Sequence, residues 1–340
     1  MDNRKILLWI LIIVIGISII GCGKKGGFKG LLSKEKEEDL EIVRSDEYDF
    51  EITEDDGMRK TVFYFKDKQG LLVPLMRKIP WEEGIARTTL NNMIDTPELR
   101  ESLKGTGLSP IIPAGTEVKG ISINEETGVC KVDFSQEILN YETENEEESL
   151  LRGIVYTLTE FPAINEVEFL VEGNTIPNFK FGTIASSPFK RENIYFVGEI
   201  EDFRTNVIVF YKSTHFEEDY EYFVPVTIPT LAPVANIYTA LEVLFDGPSL
   251  DLGLSSDIPD EVSFHGVDIK DGTAYIDISF DYGDIPEDSQ VFNNMLKNIG
   301  LTLSEFDEIE KVELLVDGKG LEDLGMDIHT DMVIPAFANE

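Results

Sequence analysis

Basic residues are scarce in this sequence. Its 340 residues include 29 lysines and arginines against 65 aspartates and glutamates, which gives a net charge of −36. A chain this acidic repels phosphate backbones, so we expect no nucleic-acid partner. Its apolar content of 42% suffices for packed cores and argues against a disordered chain. A solubilising surface and a high-salt habitat would each account for the charge.

Long apolar runs are also missing, with one exception at the N-terminus. Arg4 and Lys5 precede residues 6–21, a run of 16 residues without a charge. That length is short for a membrane span and typical of the apolar core of a signal peptide. The Ile-Ile-Gly-Cys that ends it resembles a bacterial lipobox, in which the signal is removed and Cys22 is lipidated. We therefore predict a lipoprotein signal over residues 1–22, with an uncleaved N-terminal helix as the alternative.

Both readings of the N-terminus predict the same location for the rest of the chain. It is the extracytoplasmic face of the cell membrane, with the chain tethered at one end. Residues 23–60 are rich in Lys, Glu, Asp and Gly, which indicates a solvated, charged spacer between the anchor and the folded part.

Cysteine and histidine are too few to indicate redox or catalytic chemistry. With Cys22 used for lipidation, Cys130 has no disulfide partner, and its alternation with polar neighbours places it on the apolar face of a strand. His215, His265 and His329 are far apart, without a Ser-His-Asp order, and no glycine-rich phosphate loop follows a strand. We predict no enzyme activity and no cofactor.

Acidic clusters are the remaining candidates for a metal site. Residues 142–148 and 277–288 hold several carboxylates, but neither has the glycine and closing glutamate of a calcium loop. We predict a solvated face at both places and no metal. The repeated Asp133-Phe134-Ser135 and Asp277-Ile278-Ser279 fit either a ligand-site rim or a strand end bonded to the following loop, and turn chemistry favours the strand end.

One feature of the chain is a duplication. Residues 158–174 return as residues 303–319, with nine of 17 positions identical, so the repeat guides the prediction of the fold. Both copies have a strand pair, a helix, a hairpin, a second helix and a last strand. The apolar stripe of the first helix comprises Ala86, Leu90 and Met93 in one copy and Ile237, Leu241 and Leu244 in the other.

This order predicts an α+β fold with two tandem modules. Each module is expected to be one small mixed sheet covered by two helices. The predicted first domain spans residues 61–189 and the second spans residues 206–340, with a linker at residues 190–205 between them. We refer to the two domains as copy one and copy two.

A proline in the second strand of each copy indicates a sheet edge. Val73-Pro74 and Val224-Pro225 match between the copies, and proline is tolerated at an edge because no ladder donor is lost there. An open edge can pair with another chain. We therefore predict Val73, Pro74, Val224 and Pro225 as a candidate interaction edge, with self-association as one use of it.

The repeated blocks resemble a known family. The succession of GLSxxIP, a hairpin ending in VDFS or IDIS, YTLTEF or LTLSEF, and VEFLVEG or VELLVDG is similar to the GerMN domain. Two such domains behind a lipoprotein signal resemble the lipoproteins of sporulation and spore germination. Residues 281–286, an acidic loop, depart from the pattern in copy two. The domains of this family also resemble the ring-building modules of channels and secretion systems.

The resemblance implies a function without catalysis. It implies a lipid-anchored scaffold that assists the assembly or placement of envelope complexes at the boundary between mother cell and forespore. Spore envelope or channel proteins are the implied partners. A cell-wall enzyme accessory and a solute-binding lipoprotein are the alternatives. No part of the chain is left unassigned for a catalytic domain, and a solute-binding protein would have a cleft between two larger doubly wound lobes.

Overall fold

The computed structural model describes most of the chain beyond the spacer. The described residues are 57–81, 84–191, 204–213, 220–249, 253–280, 289–324 and 332–340, without the side chains of 289, 332 and 333. All of them belong to one compact unit of the chain. The signal peptide, Cys22, most of the spacer, residues 192–203 of the linker and the acidic loop at 281–286 lie outside the described residues. No described helix is long and apolar enough to cross a membrane.

Copy one contains seven described strands and three described α-helices. The strands are β1 (Met58–Lys66), β2 (Leu72–Pro80), β3 (Val118–Asn124), β4 (Val129–Phe134), β5 (Glu166–Val171), β6 (Asn174–Thr175) and β7 (Phe189–Lys190). The helices are α1 (Ile85–Asn91), α2 (Pro97–Ser102) and α3 (Glu144–Leu158). Helix α3 begins with a capping box between Thr143 and Glu146, and its acidic first turn favours the positive end of the helix dipole.

Copy two repeats this order, except that in its described part a short strand, β10, follows the first helix where copy one has α2. Its described strands are β8 (Thr205–Ser213), β9 (Phe223–Thr230), β10 (Leu254–Ser255), β11 (Val262–Lys270), β12 (Thr273–Phe280), β13 (Lys311–Val316), β14 (Lys319–Gly320) and β15 (Met332–Val333). Its described helices are α4 (Ile237–Asp246) and α5 (Ser289–Leu303). The fold is α+β with two tandem modules, as predicted.

Each copy contains two sheets, whereas the sequence predicts one. In copy one β1 pairs with β2 and, at Lys66 alone, with Ser109. The strands β3 to β7 form a separate mixed sheet in which β4 and β5 are parallel. Copy two has the same division, with β10 added beside β8. The helices α3 and α5 connect the parallel strands β4 to β5 and β12 to β13, as a parallel pair requires a crossover.

A threonine of the crossover helix explains why the strand pair does not join the larger sheet. The buried Thr157 of α3 accepts a hydrogen bond from the backbone N–H of Tyr64 in β1, at 3.1 Å. In copy two the matching Thr302 of α5 accepts from the N–H of Phe210 in β8, at 3.2 Å. Since this side chain satisfies the outward-facing N–H of the strand, no neighbouring strand is needed there.

The hairpin turns follow the local sequence. Asp271 and Gly272 both have positive φ, 49° and 76°, which gives copy two the tight two-residue turn that Asp-Gly predicts. In copy one the Asn124 side chain accepts from the N–H groups of Glu126 and Thr127, so the turn is longer. Cys130 is fully buried on β4, as predicted, and Ala274 takes the same place on β12.

Candidate functional site

The predicted interaction edge is covered in the structure. Val73, Pro74, Val224 and Pro225 are all buried, and β2 and β9 lie at sheet edges that contact each other. The prolines are thus on edge strands, as predicted, but the edges meet between the two copies. The sequence predicts these four residues as an edge for pairing with another chain, whereas the structure places the two edges in contact with each other.

Asn339, near the C-terminus, joins the two edges. Its side-chain amide donates to the carbonyl of Pro74 in copy one at 2.7 Å and to the carbonyl of Phe223 in copy two at 2.8 Å. Its amide oxygen accepts from the N–H of Phe223 at 2.7 Å. Its backbone carbonyl accepts from the N–H of Met76 at 2.8 Å. Asn339 is 5% exposed and replaces the neighbouring strand that each edge lacks.

Two further contacts link the copies near this residue. The Tyr222 hydroxyl of copy two donates to the Asp67 carboxylate of copy one at 3.2 Å. Burial raises the pKa of Asp67, although backbone N–H groups of the β1–β2 turn and this hydroxyl oppose the shift. The Lys60 ammonium of copy one lies 5.3 Å from the ring centre of Phe337 in the C-terminal segment. The C-terminal segment therefore lies against copy one.

Arg191 forms a second centre between the copies. Its guanidinium donates to the Tyr64 hydroxyl at 2.7 Å and lies 2.8 Å from the Glu160 carboxylate. Glu305, the repeat counterpart of Glu160, also acts electrostatically on Arg191. Burial alone would lower the pKa of Arg191, but Tyr64 and the two carboxylates raise it above its usual value. Glu160 thus pairs directly with Arg191, and Glu305 of copy two adds an electrostatic attraction.

A buried carboxylate distinguishes copy one. Glu147 of α3 is fully buried and accepts hydrogen bonds from the Tyr141 hydroxyl at 2.8 Å and the Phe181 N–H at 2.7 Å. The N–H and hydroxyl of Thr183 also donate to it. Burial by itself raises the pKa of Glu147, but these bonds dominate and lower it. The counterpart in copy two is the buried Phe292, which has no carboxylate to accept such bonds.

The repeated Asp and Ser residues have structural partners. The Asp133 carboxylate accepts from the Gly173 N–H at 2.7 Å, and Asp277 accepts from the Gly318 N–H at 2.8 Å. Ser135 accepts from the Glu117 N–H at 2.9 Å. These bonds hold strand ends to neighbouring loops, which agrees with the structural reading of the motif.

The other sequence candidates show no convergent chemistry. The His265 imidazole lies 2.7 Å from the Ser279 hydroxyl, while His215 and His329 are outside the described residues. Burial raises the pKa of the Cys130 thiol to about 12, so it stays protonated at neutral pH. Across the described ranges, no three His, Cys, Asp or Glu side chains are grouped to hold a metal ion.

Several large apolar side chains are exposed to solvent. The large apolar residues with substantial exposure are Trp81, Phe181, Ile184, Leu231, Val234, Tyr238 and Ile269. Sequence periodicity does not single them out, because exposure depends on which neighbouring elements cover each strand and helix. They are candidates for contact with other molecules.

The family described as Germane, sporulation and spore germination, matches residues 62–177 and again residues 194–322. The chain belongs to this family. It is 29% identical over 264 residues to the spore germination protein GerM of Bacillus subtilis strain 168, covering 75% of this chain and 71% of that protein.

A solved structure of tandem GerMN domains gives the same architecture. The structure is that of the tandem GerMN domains of the sporulation protein GerM from Bacillus subtilis. It aligns with a TM-score of 0.66 and 25% identity, over 83% of this chain and 99% of that chain. The resemblance inferred from the repeated blocks is confirmed, and the chain is a sporulation and germination protein with two tandem GerMN domains.

Replacing Asn339 tests the contact between the copies. Asn339→Ala leaves the buried N–H and carbonyl of Phe223 and the carbonyl of Pro74 without a partner, so we expect a loss of at least about 2 kcal/mol in the free energy of unfolding. The measurement is urea unfolding followed by circular dichroism. The control is Glu340→Ala, whose exposed side chain should change stability by less than about 0.5 kcal/mol. Equal midpoints for the two variants would show that Asn339 does not hold the copies together.

A pH titration tests the buried carboxylate. Because the folded state lowers the pKa of Glu147, its stabilisation is present above the unfolded value of about 4.3 and is lost as pH falls through the lowered value. We expect the difference in unfolding free energy between wild type and Glu147→Gln to be largest above about pH 4.5 and to shrink toward acid. The control is Glu148→Gln, an exposed neighbour paired with Arg152. A difference that does not change with pH contradicts the assignment.

Proposed function

We propose that the chain is a lipid-anchored, non-enzymatic scaffold of sporulation and spore germination. It is tethered through Cys22 on the extracytoplasmic face of the cell membrane and assists the assembly or placement of envelope complexes between mother cell and forespore. Its proposed partners are spore envelope or channel proteins. The family match and the Bacillus subtilis relative GerM, described both as a spore germination protein and as a sporulation protein, support this proposal.

The observation that carries the proposal is the contact between the two copies. Asn339 links β2 to β9, and Arg191 interacts with Glu160 and Glu305. A scaffold must hold its binding faces at a fixed separation, because flexible linkage would lower the effective concentration of one bound partner near the other. Directional hydrogen bonds from a buried side chain meet this requirement.

The copies also differ outside their contact. Glu147 anchors a loop in copy one where Phe292 stands in copy two, and Arg87 of α1 matches Tyr238 of α4. Two unlike faces on one compact unit fit a protein that binds two different partners. This supports a scaffold role over a duplication that merely doubles one binding site.

Crosslinking and affinity capture from sporulating cells test the proposal. We expect the wild-type chain to capture spore envelope or channel proteins in the membrane fraction. Cys22→Ala should leave the chain outside that fraction, because one lipid-bearing residue provides the anchor. The control is Cys130→Ala, a buried position where copy two already has Ala274.

The outcomes separate the two parts of the proposal. Failure to recover any spore envelope or channel protein with wild type and with Cys22→Ala contradicts the scaffold. If Cys22→Ala associates with the membrane as strongly as wild type does, the lipid anchor at Cys22 is contradicted. The scaffold function is then tested only by which proteins are captured.

A further inference from the structure

The outer edge of β11 in copy two is open along part of its length. Within the described ranges, β11 pairs with β12 on one side and with no strand on the other. A bulge between Phe264 and Gly266 interrupts the pairing, and the register is regular from Gly266 to Lys270. Bulges protect edge strands from pairing. The segment after the bulge, residues 266–270, lacks this protection.

The hairpin geometry identifies the backbone groups at this edge. Asp271 and Gly272 form a two-residue turn, so Lys270 and Thr273 are the hydrogen-bonded pair that closes the hairpin. Bonded and non-bonded pairs alternate in an antiparallel ladder. The N–H and carbonyl groups of Val267 and Ile269 therefore point away from β12, toward the free edge.

The matching edge of copy one is partly closed. The Arg87 guanidinium of α1 donates to the carbonyls of Val118 and Lys119 on β3. The residue that matches Arg87 on α4 is Tyr238, because each follows the first apolar residue of the matching helix stripe. The Tyr238 ring lies 5.3 Å from that of Phe264 and is 46% exposed. Copy two thus has an aromatic surface where copy one has a basic cap.

The side chains beside the open edge are apolar and acidic. Ile269 is 48% exposed, although it points to the core face of the sheet beside Ala274. Four exposed carboxylates flank the strand, those of Asp260, Glu261, Asp268 and Asp271. None of them forms an ion pair with a described basic residue. The basic residue of the strand, Lys270, lies 5.7 Å from the Tyr275 ring. By contrast, β3 contains no acidic residue.

We propose that residues 266–270 bind an extended, basic segment of a partner protein, which adds to β11 as a further strand. The backbone groups of Val267 and Ile269 pair with the segment, and alternate apolar side chains of the segment cover Ile269. Its lysines or arginines lie near the four carboxylates, which steer the association. This inference rests on the proposed scaffold function and specifies the chemistry of one partner.

A synthetic peptide tests this surface directly. The probe is a fluorescein-labelled nonapeptide of alternating lysine and valine, and the measurement is fluorescence anisotropy with the purified full chain in detergent. We expect saturable binding that weakens between about 50 mM and about 500 mM salt, because the carboxylates are exposed to screening. A glutamate–valine peptide, and a lysine–valine peptide with proline at its centre, should not bind.

Matched proline variants locate the binding edge. Ile269→Pro removes an outward-facing donor without removing a bond to β12, so we expect binding about tenfold weaker. Ile123→Pro changes the corresponding position of β3 in copy one and should leave binding as in wild type. Asp268→Lys alters an exposed side chain only and should also weaken binding about tenfold.

The remaining outcomes overturn the inference. These are no saturable binding of the lysine–valine peptide, equal binding of the glutamate–valine peptide, or loss with Ile123→Pro but not with Ile269→Pro. A concentration-dependent dimer of the chain that Ile269→Pro abolishes assigns the edge to a second copy instead. None of these results changes the outcome of affinity capture, so failure of this inference and failure of the scaffold are distinguishable.

Discussion

A two-stranded hairpin leaves the backbone groups of both outer edges without strand partners, and this constraint shapes the whole structure. Isolated hairpins are only marginally stable in water. In this chain a threonine from the crossover helix satisfies one N–H on the outer edge of β1 and of β8, where Ser109 and β10 also pair with these strands. Asn339 bonds to the edges of β2 and β9 together. The separation into two sheets per copy and the close contact of the copies follow from this arrangement.

The two copies are not equivalent where a single residue interacts with both of them. Glu160 and Glu305 are repeat counterparts, yet both act on a single cation, Arg191. Asn339 likewise binds both hairpins, so the matching position of copy one does not need an asparagine. Away from these shared residues, buried positions such as Thr157 and Thr302 keep the same hydrogen bond in both copies. A residue that interacts with both copies is therefore needed only once, whereas a contact made separately in each copy needs the same residue in both.

Local sequence signals predicted much of the fold. Helix stripes, the Asp-Gly turn, prolines on edge strands and the buried Cys130 each depend on residues within a few positions of one another. The covering of Pro74 could not be predicted in this way, because its partner Asn339 lies 265 residues later and no periodicity connects them. The candidate edge of β11 could not be predicted from the sequence either. The Val-Pro pairs indicated β2 and β9 as open edges, but these two strands contact each other.

Amide hydrogen exchange of the full chain, measured residue by residue, tests the central claim that Asn339 replaces a strand at both edges. The account predicts that the N–H groups of Met76 and Phe223 exchange as slowly as paired amides of β4 and β12, because both donate to Asn339. The N–H of Ile269, at the open edge, should exchange quickly. Exchange of Met76 and Phe223 as fast as that of Ile269 would contradict the account.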